Sequence, residues 1–142
     1  MYSSRSEDPK FERLALESEY IHYHGHLDCR DLLFEITQYD YGWAGFNATK
    51  NPVHLRTVLP NKLMEYLSCG LPVISFDHEA QRKFIEEHGV GIILNDIKEL
   101  SERLSNKTEI AQIRQRVLEN RYSFTVEKNI GKVLQLYHSL LN

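Results

Sequence analysis

The fold of this chain is decided at residues 59–76, which read LPNKLMEYLSCGLPVISF. Pro60 suits the first turn of a helix, and Gly70 suits the residue just beyond its end. The apolar residues between them recur at helical spacing, which predicts a helix over residues 60–69. Residues 73–76 then form a short apolar run of the kind that is buried in a parallel sheet.

The same alternation of apolar runs and amphipathic stretches continues on both sides. Strands are predicted at residues 20–24, 41–46, 73–76 and 90–94. Helices are predicted at residues 9–17 with Asp8 as cap, at 31–37, and from the cap Asp77 to about His88. This order indicates an α/β fold, a Rossmann-like three-layer αβα arrangement around a mostly parallel sheet of about four strands.

Two stretches depart from simple βα winding. Residues 47–59 show no clear periodicity, and we expect a long loop there. Beyond residue 97 the chain is predicted to be a helical C-terminal tail. Its last helix carries an apolar stripe of Val126, Ile130, Val133, Leu134, Tyr137 and Leu141.

Composition narrows the class of protein. The 142 residues suffice for one domain, and the net charge of −3 gives no signal for nucleic acid. No apolar run approaches the roughly 20 residues of a membrane span. Cys29 and Cys69 lack disulfide or zinc-ligand spacing, so we expect a soluble, cytoplasmic protein.

The residues themselves suggest an anion site. In open α/β sheets, ligands bind at the carboxyl ends of the strands, and the loop after Phe46 leads to a helix N-terminus with Lys62 in its first turn. A phosphate or diphosphate suits such a site. Lys62 and Glu65 could instead form an exposed ion pair on the helix, or Glu65 could accept hydrogen bonds from a sugar diol. Periodicity does not choose between these interpretations.

The central segment resembles the donor-site signature of retaining GT-B glycosyltransferases of the group 1 type. The resemblance extends from about residue 10 to the C-terminus. Four flanking segments fit the same template in the same order: residues 20–25, 39–42, 88–91 and 121–124.

The resemblance implies a role for several residues. Glu65 corresponds to the carboxylate that binds the ribose hydroxyls of a nucleotide. Leu59, Pro60 and Asn61 correspond to positions where backbone amides meet the diphosphate, with Lys62 beside them. The implied substrate is a nucleoside diphosphate sugar, with no metal or other cofactor, and no catalytic residue is assigned.

The resemblance also places the turn at Gly25 and His26 near the base of the nucleotide. Some features of the family are missing from this sequence. Thr57 stands where many members carry a second glutamate that helps to hold the donor sugar. The usual first strand, helix and second strand of the domain, with their diphosphate-binding Arg and Lys, have no counterpart before Pro9. The N-terminal acceptor-binding domain has none either.

Residues 1–142 are therefore predicted to be a partial GT-B C-terminal domain. It would bind the donor for sugar transfer in glycoconjugate or polysaccharide biosynthesis. An acceptor-binding domain, a partner chain or a second copy would complete it. The alternatives are a non-catalytic nucleotide-sugar-binding or assembly module that needs a partner chain, and a nucleotide-sugar epimerase.

Two further groups are considered and set aside. His22, His24 and His26 would share one face of a continuing strand, an arrangement that metal ligands can have, but Gly25 should break the strand and no carboxylate has ligand-like spacing. Cys69 has no activating base that the sequence can assign, so it is expected to be a buried thiol at a helix end.

Overall fold

The structure, a computed structural model, describes residues 1–2, 8–46 and 52–141 of the chain. The chain divides into two compact units, Met1–Ile36 and Thr37–Asn142. The prediction of a single domain over residues 1–142 stays a prediction.

The described part of the first unit contains two helices, α1 (Pro9–Glu17) and α2 (Cys29–Glu35). Helix α1 has the predicted bounds, because the Asp8 side chain accepts a hydrogen bond from the backbone N–H of Lys10. Helix α2 begins earlier than predicted. Its cap is Asp28, whose carboxylate accepts from the N–H of Asp31 at 3.0 Å.

The predicted strand at residues 20–24 is wrong. This segment has no sheet partner in the part of the chain that the structure describes. The N–H of His24 donates instead to the carbonyl of Met1 at 2.9 Å. Gly25 follows with φ of +74°, a left-handed conformation that ends an extended run.

The second unit is built on a parallel sheet of three strands in the order β1 (Gly42–Trp43), β2 (Val73–Phe76) and β3 (Gly91–Leu94). Strand β2 has the predicted bounds, whereas β1 and β3 are shorter than predicted. In the described residues the sheet thus has one strand fewer than the four expected.

In the residues that the structure describes, this unit has six helices: α3 (Pro52–Thr57), α4 (Asn61–Ser68), α5 (Glu79–His88), α6 (Leu100–Ser105), α7 (Lys107–Asn120) and α8 (Val126–Leu141). Short 3₁₀ turns cover Ile36–Gln38, Ile97–Glu99 and Arg121–Phe124. Helix α3 contradicts the predicted loop over residues 47–59, since Pro52 starts a helical turn there. Residues 47–51 of that loop lie outside the described residues.

The cap of α5 also differs from the prediction. His78 holds the cap position, and no side chain caps the helix. The Asp77 carboxylate lies 3.3 Å from the guanidinium Nε of Arg82, so an ion pair takes the group that was expected to cap the helix. The predicted end is right, because Gly89 adopts φ of +61° as the left-handed cap.

The core of the second unit lies between the sheet and the helices packed on it. Its fully buried members include Leu63 and Leu67 of α4, Val73 of β2 and Leu94 of β3, and Val117 of α7. The chain therefore has the predicted α/β, Rossmann-like fold. Helix α4 packs against β1 and β2, and this packing brings its N-terminus to the sheet.

Helix α8 forms at the predicted place, but it buries none of its residues. The apolar stripe from Val126 to Leu141 is exposed along its length, with Ile130 and Val133 at 44% and Leu141 at 82%. Its apolar pattern is therefore not explained by packing within the second unit.

Candidate functional site

The first turn of α4 is open at its N-terminus. Pro60 holds the cap position with an extended backbone (φ −72°, ψ 143°), and no side chain caps the helix. The Pro60 carbonyl accepts from the N–H of Leu63 at 3.0 Å. The N–H groups of Asn61 and Lys62, at the positive end of the helix dipole, therefore have no side-chain cap to satisfy them.

A cleft of about 800 Å³ lies beside this helix. Helix α4 lines it with Asn61, Met64 and Glu65. The remaining lining comes from α5, from the 3₁₀ turn Arg121–Phe124 and from the start of α8. It includes Phe84, His88, Phe124, Val126, Asn129 and Lys132. Ligand sites commonly have roughly 300–1,000 Å³, so the cleft suits a small organic ligand.

Glu65 is one of the residues that line this cleft. The side chain is half-buried, and it forms no hydrogen bond or ion pair with any residue in the described ranges. Burial raises the pKa of the neighbouring Tyr66 phenol, and the negative charge of Glu65 raises it further. An unpaired carboxylate in a partly desolvated position is available to accept hydrogen bonds from a ligand.

Lys62 does not pair with Glu65. Its ammonium group donates to the carbonyl of Gly45 at 3.0 Å and lies 5.3 Å from the ring centroid of Phe46. Burial lowers the pKa of Lys62. The exposed ion pair considered from the sequence is therefore wrong, and the lysine instead joins the first turn of α4 to the segment that follows β1.

Aromatic rings form one side of the cleft. Phe84 and His88 stack with ring centroids 4.3 Å apart, and Phe124 contacts both at 6.0 and 5.9 Å. The Nδ1 atom of His88 lies 2.9 Å from the carbonyl oxygen of Phe84. Because a carbonyl oxygen only accepts, Nδ1 of His88 is the donor in this contact.

Sequence reasoning missed the aromatic residues as site residues. A signal was available, because the segments 88–91 and 121–124 carry part of the resemblance and contain His88 and Phe124. Asn129 and Lys132 had no such signal, since they were placed only in a helical tail.

The other predicted site residues lie in different surroundings. Leu59 is 37% exposed, and Pro60 is buried. Gly25 and His26 belong to the first unit, where His26 is exposed, and their predicted place near a nucleotide base stays a prediction. Thr57 lines a separate cleft of about 290 Å³, and its hydroxyl donates to the carbonyl of His54 at 3.2 Å.

A family profile, the glucosyltransferase 3-like C-terminal domain, matches residues 7–134. The chain belongs to this family. Its relation to glycosyltransferases, expected from the segment at residues 59–76, is thereby shown. A comparison with curated proteins finds no match. The cleft beside α4 is accordingly a feature of a glucosyltransferase 3-like domain.

Two further observations concern metal binding and helices that could span a membrane. The side chains of His22, His24 and His26 are exposed. In the ranges that the structure describes, no group of three His, Cys, Asp or Glu residues could hold a metal ion. Among the same residues, no helix combines the length and apolar character that crossing a membrane requires.

Proposed function

We propose that this glucosyltransferase 3-like domain is a donor-binding domain of the GT-B group 1 type. It would bind a nucleoside diphosphate sugar for transfer in glycoconjugate or polysaccharide biosynthesis. The observation that carries the proposal is the unpaired carboxylate of Glu65, one helical turn from the uncapped N-terminus of α4.

The chemistry of the two groups is complementary to a nucleotide. A carboxylate accepts two hydrogen bonds from the vicinal hydroxyls of a ribose. Free backbone N–H groups at a helix N-terminus suit a phosphate, which the helix dipole also attracts. Glu65 and Asn61 both line the cleft, so one ligand could engage both groups.

The role proposed for this domain is donor binding, and catalysis would require the complete enzyme. Transfer from a nucleoside diphosphate sugar requires stabilisation of the charge that develops on the departing diphosphate. The N-terminus of α4 would supply part of that stabilisation. A separate acceptor-binding domain would bind the acceptor. No catalytic residue is assigned to this chain.

Thermal denaturation in the presence of UDP, GDP or ADP tests the proposal. A ligand that binds only the folded state, at 100 times its Kd, stabilises that state by about 2.7 kcal/mol, which raises the melting temperature by several degrees. We expect one of these nucleotides to produce such a shift, and Glu65→Ala to abolish it.

Glu87→Ala is the matched control. Glu87 is an exposed glutamate of α5 that does not line the cleft, and its replacement should leave the shift intact. The proposal fails if millimolar UDP, GDP and ADP all leave the melting temperature of the unmodified chain unchanged.

A second candidate function is a non-catalytic nucleotide-sugar-binding or assembly module that acts with a partner chain. The exposed apolar stripe of α8 favours it, because contiguous apolar surface of this kind commonly marks a protein interface. Light scattering coupled to size exclusion tests whether a second copy is the partner. A molecular mass of one chain at all concentrations would eliminate self-association.

A further inference from the structure

The part of the cleft lined by α8 carries polar groups that the proposed function leaves unused. Asn129 and Lys132 are three residues apart on α8, so their side chains emerge on the same side of the helix. Both belong to the cleft that also contains Glu65.

Asn129 is held in a defined orientation. Its amide nitrogen donates to the carbonyls of Ser123 and Thr125, at 2.9 Å in each case. Both N–H groups of the amide are thereby used, so the amide oxygen is left as an acceptor. That oxygen lies 3.4 Å from the ammonium nitrogen of Lys132. The 3₁₀ turn before α8 thus fixes Asn129, and Asn129 restrains Lys132.

Lys132 retains most of its capacity to bind an anion. It forms no ion pair with any described residue, and an ammonium group has three N–H donors, of which Asn129 takes one at long range. Lys62, the nearest cation in sequence to the α4 N-terminus, is already bonded to Gly45 and does not line the cleft.

The charges of the cleft then select a ligand. The carboxylate of Glu65 repels an anion, whereas the ammonium group of Lys132 attracts one. A ligand that satisfies both must present hydroxyl groups to Glu65 and a negative group to Lys132. A nucleoside diphosphate has that distribution of groups.

We propose that Lys132 binds a phosphate group of the nucleoside diphosphate and that Asn129 is the residue that positions it. This inference rests on the proposed function of the cleft. It adds a phosphate contact from α8 to the contacts expected from α4.

The test compares Lys132→Met with Lys128→Met, using the diphosphate that stabilises the unmodified chain and its parent nucleoside. Lys128 lies on the same helix outside the cleft, with its ammonium group 5.9 Å from the Tyr122 ring centroid. Isothermal titration should show that Lys132→Met weakens diphosphate binding about three- to tenfold. Nucleoside binding should be unchanged, and Lys128→Met should resemble the unmodified chain.

Two further measurements separate a direct contact from a structural effect. Raising the salt concentration from about 0.05 to about 0.5 M should weaken diphosphate binding less in Lys132→Met than in the unmodified chain, because the screened contact is already lost. As a single substitution, Asn129→Ala should weaken diphosphate binding. Added to Lys132→Met, it should have little further effect on that binding.

The outcomes distinguish the two proposals. If the unmodified chain binds the diphosphate and Lys132→Met binds it equally well, the role of Lys132 is refuted and the proposed function stands. If Lys132→Met weakens the diphosphate and the nucleoside alike, the effect is structural and the phosphate contact is refuted. If no nucleotide binds the unmodified chain, both proposals fail.

Discussion

The ammonium group of Lys62 donates a hydrogen bond to the carbonyl oxygen of Gly45 at 3.0 Å. Gly45 is buried and follows the first strand of the sheet, whereas Lys62 lies in the first turn of α4. The bond therefore fixes the helix N-terminus relative to the carboxyl end of the strand. A cation that the sequence suggested as a phosphate ligand has a structural partner in the fold.

Replacing Lys62 with Met should destabilise the chain by about 1–3 kcal/mol, because the buried carbonyl of Gly45 would lose its donor. Urea denaturation measures the change. Lys83→Met, on the exposed side of α5, is the control and should stay within about 0.5 kcal/mol of the unmodified chain. Equal stability of the two variants would show that the bond to Gly45 contributes nothing.

Gly42→Ala should be strongly destabilising. A Cβ atom at Gly42 would lie 2.1 Å from Cγ of Tyr66, so β1 and α4 could not keep their present separation. Overpacking of this kind costs about 1–3 kcal/mol, which denaturation with urea detects. Gly131→Ala offers the contrast, since nothing lies within 4 Å of its added Cβ and alanine favours the helix. We expect that variant to be as stable as the original chain or more stable.

Tyr66 should make stability fall at alkaline pH. Burial raises the pKa of its phenol in the folded state, and the charge of Glu65 adds to this effect. The unfolded chain, with a tyrosine pKa of about 10, therefore loses this proton first. The contribution is fully present below that pH and is lost as the pH rises through the folded-state pKa.

Unfolding free energies of the unmodified chain and of Tyr66→Phe, measured at pH values from about 8 to 11, test this. The stability of Tyr66→Phe should fall less steeply over that range. Tyr137→Phe, a change on the exposed face of α8, should retain the original slope. Parallel curves for all three proteins would contradict the assigned cause.

Ser75 and Gln81 form a buried polar pair. The hydroxyl of Ser75 donates to the amide oxygen of Gln81 at 2.5 Å, both residues are 0% exposed, and the amide nitrogen of Gln81 has no partner among the described residues. Ser75→Ala should therefore cost about 1–3 kcal/mol, because it leaves the whole amide group unpaired.

Ser75→Ala combined with Gln81→Leu should recover part of that loss, since an apolar pair leaves no buried polar group without a partner. Chemical denaturation of the two single variants and the double variant gives the coupling energy. A double variant whose loss equals the sum of the single losses would mean that the pair is not coupled.

The elements that sequence predicted best have local causes. Asp8 caps α1, Gly89 ends α5, and β2 is an apolar run of four residues after Pro72. In each case the residue that sets the boundary acts on its immediate neighbours. Such signals can be read without knowledge of the remaining chain.

The errors arise where a distant residue decides. Residues 20–24 alternate as a strand would, but no neighbouring strand pairs with them in the described residues, and the N–H of His24 bonds to Met1. Pairing partners of this kind depend on tertiary structure, which local patterns do not contain.

The candidate site also contains some residues that local sequence predicts and others that it does not. Asn61 and Glu65 were predicted because they belong to one recognisable segment. The rest of the cleft comes from Phe84, Phe124 and Lys132, which only packing brings to α4. No spacing rule connects Phe84 or Lys132 with α4 in sequence, so these two could not be predicted, whereas Phe124 lies in a segment that carries part of the resemblance.

Two of the helices that line the cleft, α4 and α8, should differ in hydrogen exchange. Leu63 and Leu67 are 0% exposed, so α4 cannot open without disrupting the core, and its amide hydrogens should exchange only when the whole unit unfolds. Helix α8 buries no residue, and its amides should exchange through local opening. A ligand would therefore contact a rigid helix, α4, and a more mobile helix, α8. Ordering α8 would reduce the net free energy of binding.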